Sequence, residues 1–203
     1  MTYKDVRSKL KGFFEIILNP IIVLLNKTGI TPNIITIIGL FINILGAYFI
    51  IKGNLFWAGI IILFAGIFDM LDGILARKMN KKTKFGGFLD SVTDRVSEGA
   101  IYFSILVYYI NINLSFNSII AYCVMFLSFL ISYIRARAGG LKIDCEEGIF
   151  TRPERIIMLI LGLLLNNYFD SLFYALLIIG CFSVITIAQR IYIVYIRAKI
   201  SEN

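Results

Sequence analysis

Long apolar runs separated by short polar breaks dominate the chain. Residues 33–51, 53–68 and 99–134 contain no Asp, Glu, Lys or Arg. A helix needs about 20 mainly apolar residues to span a bilayer. The breaks divide the apolar sequence into six segments, which are residues 31–51, 54–78, 86–110, 117–138, 153–166 and 170–198. The pattern therefore predicts an all-α integral membrane protein with six transmembrane helices.

The first 30 residues follow a different pattern. Several charged residues precede the first apolar run, and Glu15, Asn19 and Pro20 interrupt that run. Such a segment is typical of an amphipathic helix that lies at the membrane interface rather than spanning the membrane. We therefore expect an N-terminal cytoplasmic, interfacial amphipathic helix in residues 1–30 and the six-helix transmembrane domain in residues 31–203.

Composition and charge agree with this topology and exclude some functions. Hydrophobic residues make up 59% of the chain, and the mean hydropathy is +0.83. With the N-terminus in the cytoplasm, Lys52 is the one basic residue in an outer loop, so both termini are expected to face the cytoplasm from the cell membrane. The basic residues are spread over separate loops, which argues against nucleic-acid binding. The chain has no histidine, which excludes a His-based triad.

Four aspartates lie where the second and third predicted spans meet the cytoplasmic side. Asp69 and Asp72 are spaced i, i+3, and Asp90 and Asp94 are spaced i, i+4, so each pair shares one helix face. Two antiparallel helices joined by a short loop can bring the pairs together, where four carboxylates repel one another unless cations neutralise them. Carboxylate oxygens suit Mg²⁺ or Mn²⁺. Two such ions would balance the charges and form a clamp for phosphoryl transfer.

The residues around these pairs fit a phosphate ligand. Gly73 and Ala76 are small, so a bulky ligand could approach the backbone. Arg77 can pair with a phosphate, and Thr83 is a candidate hydrogen-bond donor. Glu98 has no catalytic role in this interpretation and is expected to pair with Arg95 or to line the cavity.

The motif resembles that of a known family. The string Asp69-x-x-Asp72-Gly73-x-x-Ala76-Arg77, eight residues, Gly86-x-x-x-Asp90-x-x-x-Asp94 matches the signature of the CDP-alcohol phosphotransferases at all its fixed positions. The segment TPNIIT at residues 31–36 is similar to the family's motif at the start of the first span. The six-span layout with an interfacial helix is also the family's. The resemblance implies a Mg²⁺-dependent enzyme, in which Mn²⁺ could substitute, that binds a CDP-linked lipid in a cytosol-facing cavity on two metal ions.

Residue roles follow from this resemblance. It implies that the metal ligands are Asp69, Asp72, Asp90 and Asp94, and that Asp94 is also the general base. It implies that the CDP-lipid is bound by Asn33, Thr36, Gly73, Ala76, Arg77, Thr83 and Gly86. The acceptor hydroxyl would attack the lipid-bearing phosphorus, and CMP would leave. A homodimer is expected because the family usually forms dimers, and Gly99, Ala100 and Gly162 are candidate contacts.

Three arginines from three different predicted spans point to the acceptor. Arg135, Arg152 and Arg190 would bind a phosphate dianion if they converge, although arginines at such positions also anchor helices at the membrane surface. The segments ISYIRARA, RPER and QR resemble, in order, those of the inositol-phosphate-using branch of the family. The resemblance implies that the acceptor is 1-myo-inositol 1-phosphate and that the products are phosphatidyl- or archaetidylinositol phosphate and CMP.

Several alternatives stay open. Glycerol 3-phosphate also carries a phosphate and would need similar arginines. The donor could be CDP-archaeol or CDP-diacylglycerol. An ion or proton transporter is the alternative from another class, because acids within a membrane often mark ion routes. The position of the aspartates at one end of the predicted bundle, without an inverted repeat, favours the enzyme over the transporter.

Overall fold

The described part of the chain is helical throughout. The computed structural model describes Pro20, Ile22, residues 30–78 and residues 83–202. These residues form six α-helices, α1 (Pro32–Ile51), α2 (Leu55–Lys78), α3 (Lys84–Asn111), α4 (Ser115–Gly140), α5 (Arg152–Leu165) and α6 (Ser171–Glu202). The described residues contain no β-strand, which confirms the all-α class. The predicted interfacial helix of residues 1–30 lies outside the described residues, apart from Pro20, Ile22 and Ile30.

Among the described residues, four helices are long and apolar enough to cross a membrane. They are α1, α2, α4 and the Ser171–Ile200 part of α6. Helix α5 has 14 residues and is therefore about 21 Å long at 1.5 Å per residue, which is shorter than a hydrocarbon core of about 30 Å. The first half of α3 carries several charged residues. That all six helices span the membrane therefore stays a prediction.

Helix α5 begins at the position that the sequence indicates. The backbone N–H of Thr151 donates a hydrogen bond to the Glu154 carboxylate at 2.8 Å, as in a capping box. Pro153 lies in the first turn of the helix, where a backbone N–H is not needed for helix bonding. The cap fixes Arg152 as the first residue of α5.

The chain divides into two compact units, of which the first comprises residues 1–42 and 64–96. Its buried core is aliphatic and joins the first half of α1 to the second half of α2. A Cβ atom added at Gly39 would lie 3.5 Å from the Cβ atom of Phe68, so the two helices approach closely there. The core residues are Ile22, Ile35, Leu71, Ile74 and Leu75.

The second unit comprises residues 43–63 and 97–203, and within it both α4 and α5 pack against α6. Gly162 allows α5 to approach α6, because a Cβ atom there would lie 2.7 Å from that of Ala175. A Cβ atom at Gly99 would lie 2.9 Å from the ring of Phe129. These two glycines, which the sequence suggested for a dimer contact, are thus used in packing within the chain.

Candidate active site

A cavity lies within the first unit, where the start of α1, the end of α2 and the start of α3 meet. Its volume is about 280 Å³. All seven residues that the family resemblance assigned to the CDP-lipid line this cavity, although their roles stay predictions. Among the described residues, the lining is Pro32, Asn33, Thr36, Asp72, Gly73, Ala76, Arg77, Thr83, Gly86, Gly87 and Asp90.

Three of the four aspartates lie close together. Carboxylate oxygens of Asp69, Asp90 and Asp94 all lie within 4.8 Å of one another, and the three residues are half-buried. Oxygens bound to one Mg²⁺ at about 2.1 Å lie roughly 3 to 4 Å apart. Hard oxygen donors at this spacing therefore fit a divalent cation after small side-chain shifts. The spacing of Asp90 and Asp94 along α3 brings them to the same helix face, as the i, i+4 pattern predicts.

The fourth aspartate, Asp72, binds a side chain of α1. The hydroxyl of Thr36 donates a hydrogen bond to Oδ2 of Asp72 at 2.5 Å, and both residues are buried. The sequence suggested a role for each residue but did not indicate this contact. Asp72 also lines the cavity. The hydrogen bond therefore orients Asp72 beside the three clustered carboxylates and links α1 to α2.

The start of α3 forms another wall of the cavity. The backbone N–H of Gly86 donates to Oγ1 of Thr83 at 2.9 Å, so Thr83 caps the helix. A Cβ atom at Gly86 would lie 3.0 Å from Thr83 Oγ1 and 3.1 Å from Asn33 Oδ1, so glycine permits this close approach to α1. Helix N-termini favour anions, and those of α1 and α3 both border the cavity. Together with Arg77, they suit a phosphate group.

The arginines that were predicted to bind the acceptor lie in the second unit. Arg190 is buried and donates to two backbone carbonyls, from Nε to Glu147 at 2.9 Å and from Nη1 to Ile131 at 2.6 Å. The Arg135 side chain is 57% exposed and forms an ion pair with Glu146 at 2.9 Å. Arg135 is an electrostatic neighbour of Arg190. The convergence of both with Arg152 stays a prediction.

Polar residues of α6 hold the loop between α4 and α5. The backbone N–H of Phe150 donates to Thr186 at 3.1 Å, and that of Ile149 donates to Gln189 at 3.2 Å. Arg190 binds the same loop through the carbonyl of Glu147. Sequence reasoning missed this arrangement. The available signal was a set of polar residues at helical spacing within the apolar sequence of α6.

A buried ion pair was also missed. Nε and Nη2 of Arg155 donate to Oε1 of Glu98 at 3.0 Å and 2.8 Å. The sequence suggested that Glu98 pairs with Arg95 or lines the cavity, and it did not indicate the ion pair with Arg155. Arg95 lies 3.8 Å from Asp94, measured from Nη2 to Oδ2.

Apolar helices long enough to cross a membrane, with clustered carboxylates beside a cavity suited to phosphate, are expected of a membrane enzyme that transfers phosphate groups. Residues 29–196 match the family model for CDP-alcohol phosphatidyltransferase. The chain belongs to this family and is an enzyme of this class, as its aspartate motif indicated.

Named relatives and solved structures agree with this membership. The archaetidylinositol phosphate synthase of Pyrococcus horikoshii is 37% identical over 177 residues, which are 83% of this chain and 85% of the relative. A crystal structure of Mycobacterium tuberculosis phosphatidylinositol phosphate synthase with CDP-DAG bound is similar with a TM-score of 0.81 and 32% identity, over 87% of this chain and 92% of that one. The same protein in complex with manganese and citrate gives a TM-score of 0.78 and 32% identity, over 87% and 88% of the two chains.

Proposed function

We propose that this enzyme transfers the lipid-phosphate group of a CDP-linked lipid to 1-myo-inositol 1-phosphate. The products would be phosphatidyl- or archaetidylinositol phosphate and CMP. The observation that carries the proposal is the group formed by Asp69, Asp90 and Asp94 in the same unit as a cavity suited to phosphate. The mycobacterial relative that holds CDP-DAG supports the donor. The archaeal relative that is named for archaetidylinositol phosphate supports the acceptor.

The carboxylates are proposed to hold two Mg²⁺ ions, for which Mn²⁺ can substitute. Asp69, Asp90 and Asp94 fit a divalent ion by their donor chemistry and spacing, and Asp72 completes the proposed set. The complex of the mycobacterial relative with manganese supports a divalent cofactor. When bound, the ions would neutralise negative charge on the carboxylates and on the pyrophosphate, which lowers the barrier to phosphoryl transfer.

The residues in and beside the cavity have distinct proposed tasks. Arg77 and the first turns of α1 and α3 bind the anionic part of the CDP-lipid. Asp94 accepts the proton of the acceptor hydroxyl while the hydroxyl oxygen attacks the lipid-bearing phosphorus. The bond from this phosphorus to the bridging oxygen breaks, and CMP leaves with that oxygen. Arg95, at 3.8 Å, helps to orient the Asp94 carboxylate.

The acceptor phosphate is proposed to bind Arg135, Arg152 and Arg190. The ion pair of Arg135 with Glu146 is solvent-exposed, with side-chain exposures of 57% and 72%. Exposed ion pairs contribute little free energy, so a phosphate dianion could replace the carboxylate. Glycerol 3-phosphate is the second candidate acceptor, since a phosphate site built from these arginines would also accept it.

The remaining proposals concern location and assembly. The basic residues of the sequence favour an orientation in the cell membrane with both termini and the aspartates on the cytoplasmic side. A homodimer is proposed from the family resemblance alone.

The purified protein in detergent provides the test of the reaction. CMP release would be measured with Mg²⁺ and either CDP-diacylglycerol or CDP-archaeol, with inositol 1-phosphate, glycerol 3-phosphate, free inositol or serine as the acceptor. The proposal expects release with inositol 1-phosphate and loss of release in EDTA. CMP release only with glycerol 3-phosphate would show that inositol 1-phosphate is not the acceptor. CMP release with free inositol or serine would exclude the proposed role of the arginines. Ion flux in liposomes without any CMP release would favour the transporter.

The role of Asp94 has a separate test. Asp94→Asn should abolish turnover while most CDP-lipid binding remains, because the amide cannot accept the hydroxyl proton. Near-normal turnover in this variant would show that another group is the base.

A further inference from the structure

The ion pair between Glu98 and Arg155 connects α3 to α5 within the second unit. Both side chains are almost completely buried, with exposures of 0% for Glu98 and 1% for Arg155. Two nitrogens of Arg155 bind one oxygen of Glu98. Tyr102, which is also fully buried, is an electrostatic neighbour of both charges. The pair is therefore shielded from the screening that weakens exposed ion pairs.

Stability alone is a poor explanation for this pair. Removing two charges from water costs about as much as their attraction returns, and a well-packed apolar pair is often as stable. An ion pair with two hydrogen bonds differs from apolar packing in its directionality, because the donors and the acceptor must be aligned. The pair consequently fixes the position of α5 along α3 more strictly than apolar side chains would.

The same guanidinium also contacts the start of α5. Nη1 of Arg155 lies 3.4 Å from the carbonyl oxygen of Phe150, immediately before the cap residue Thr151. The N–H of Phe150 is bound to Thr186 of α6. Arg152 is the first residue of α5 and lies one helical turn before Arg155. Fixing Arg155 therefore fixes the backbone that carries Arg152.

We propose that Glu98 and Arg155 are positioning residues that hold the first turn of α5 so that Arg152 can bind the acceptor phosphate. This inference rests on the proposed function, because it assumes that Arg152 contacts the acceptor. The two residues act through Arg152 and leave the CDP-lipid site unchanged. Loss of the pair thus weakens acceptor binding selectively.

The test uses a double substitution that removes both charges together. Glu98→Leu with Arg155→Met keeps the site apolar and leaves no unpaired buried charge. The melting temperature of this variant should stay close to that of the native protein. The KM for inositol 1-phosphate should rise at least tenfold, while kcat and the KM for the CDP-lipid stay within about twofold of native values.

Two further variants separate positioning from general stability. Arg155→Lys keeps the charge but loses the two-nitrogen fork, so it should raise the acceptor KM by a smaller factor. Ile105→Val removes one methylene from the core of the same unit and should lower the melting temperature slightly without changing either KM. If the double variant does not yield folded protein, the comparison of Arg155→Lys with Ile105→Val decides in its place.

An unchanged acceptor KM in the folded double variant would overturn the inference, as would equal increases for both substrates. Failure of the proposed function would give a different result, which measurements on the native protein would show without any variant. Native protein without turnover on either phosphorylated acceptor, and without a melting-temperature increase in inorganic phosphate, would overturn the acceptor site and this inference with it.

Discussion

Gly73 lines the cavity on α2 at a position where the protein itself leaves space for a side chain. Among the described residues, a Cβ atom at Gly73 would have Arg77 Nη1 at 3.7 Å as its neighbour, which is ordinary van der Waals contact. The fold therefore does not require glycine at this position. If the glycine serves the enzyme, it does so by allowing the CDP-lipid to approach the helix backbone.

Gly73→Ala should consequently have opposite effects on stability and on binding. Alanine within a helix is more stable than glycine by about 1 kcal/mol, which corresponds to a melting-temperature increase of about 2–4 °C for a chain of this size. A methyl group inserted into a filled site costs about 1–3 kcal/mol. Because 1.4 kcal/mol is tenfold in affinity, the KM for the CDP-lipid should rise between about 5-fold and 150-fold.

The assay is CMP release at varied CDP-lipid concentration, combined with thermal unfolding in the same detergent. Gly66→Ala provides the matched control on α2, since a Cβ atom there would meet nothing within 4 Å among the described residues and Gly66 is outside the cavity lining. The control should gain similar stability without a change in KM. A Gly73→Ala enzyme that keeps the native KM for the CDP-lipid would refute the reasoning.

Further predictions concern the donor site, the acceptor site and the loop between α4 and α5. Thr36→Val removes the hydrogen bond to Asp72. Since a hydrogen bond to a charged group contributes about 1.5–3 kcal/mol, kcat/KM for CMP release should fall at least about tenfold. Thr36→Ser should keep most activity, and equal losses in the two variants would contradict the role of the hydroxyl. Arg152→Ala should raise the KM for the acceptor about 10- to 100-fold, because it removes a charged hydrogen bond that contributes a similar free energy. The KM for the CDP-lipid should stay constant. Equal increases in both KM values would count against the proposed acceptor site. Burial raises the pKa of the Cys145 thiol, so less thiolate forms at a given pH and maleimide labelling, followed by mass spectrometry, should be slow at pH 8 and accelerate as the pH rises. Arg190→Lys should speed that labelling because it loosens the loop that contains Cys145, and an unchanged rate would show that Arg190 does not hold the loop.

The clustering of the aspartates was predictable because its information is local. The four aspartates and the small residues between them lie on two consecutive helices, and helical spacing alone determines which side chains share a face. A short connection then makes the helices antiparallel neighbours. The structure brings Asp69, Asp90 and Asp94 together, whereas Asp72 accepts a hydrogen bond from Thr36.

Contacts between distant parts of the sequence were not predictable in the same way. Glu98 and Arg155 are separated by 57 positions, and several arginines could have been the partner of Glu98 by sequence alone. Membrane span count was uncertain for a different reason. The composition of α5 suits a membrane, but the helix has 14 residues between its cap and its end. Hydropathy does not determine the length of a helix, because local signals such as caps decide where it begins and ends.

The surroundings of Arg190 and Arg135 predict unequal contributions of these two arginines to acceptor binding. The guanidinium of Arg190 is already held in place by two backbone carbonyls, so little side-chain entropy remains to be lost when a phosphate binds. Arg135 is exposed and paired with Glu146, so a phosphate gains its contact only by replacing a carboxylate. The free energy gained at Arg135 is therefore the difference between two similar ion pairs, whereas at Arg190 it is a new contact to a fixed group. If both arginines bind the acceptor, Arg190 supplies most of the affinity and Arg135 mainly supplies long-range attraction for the dianion.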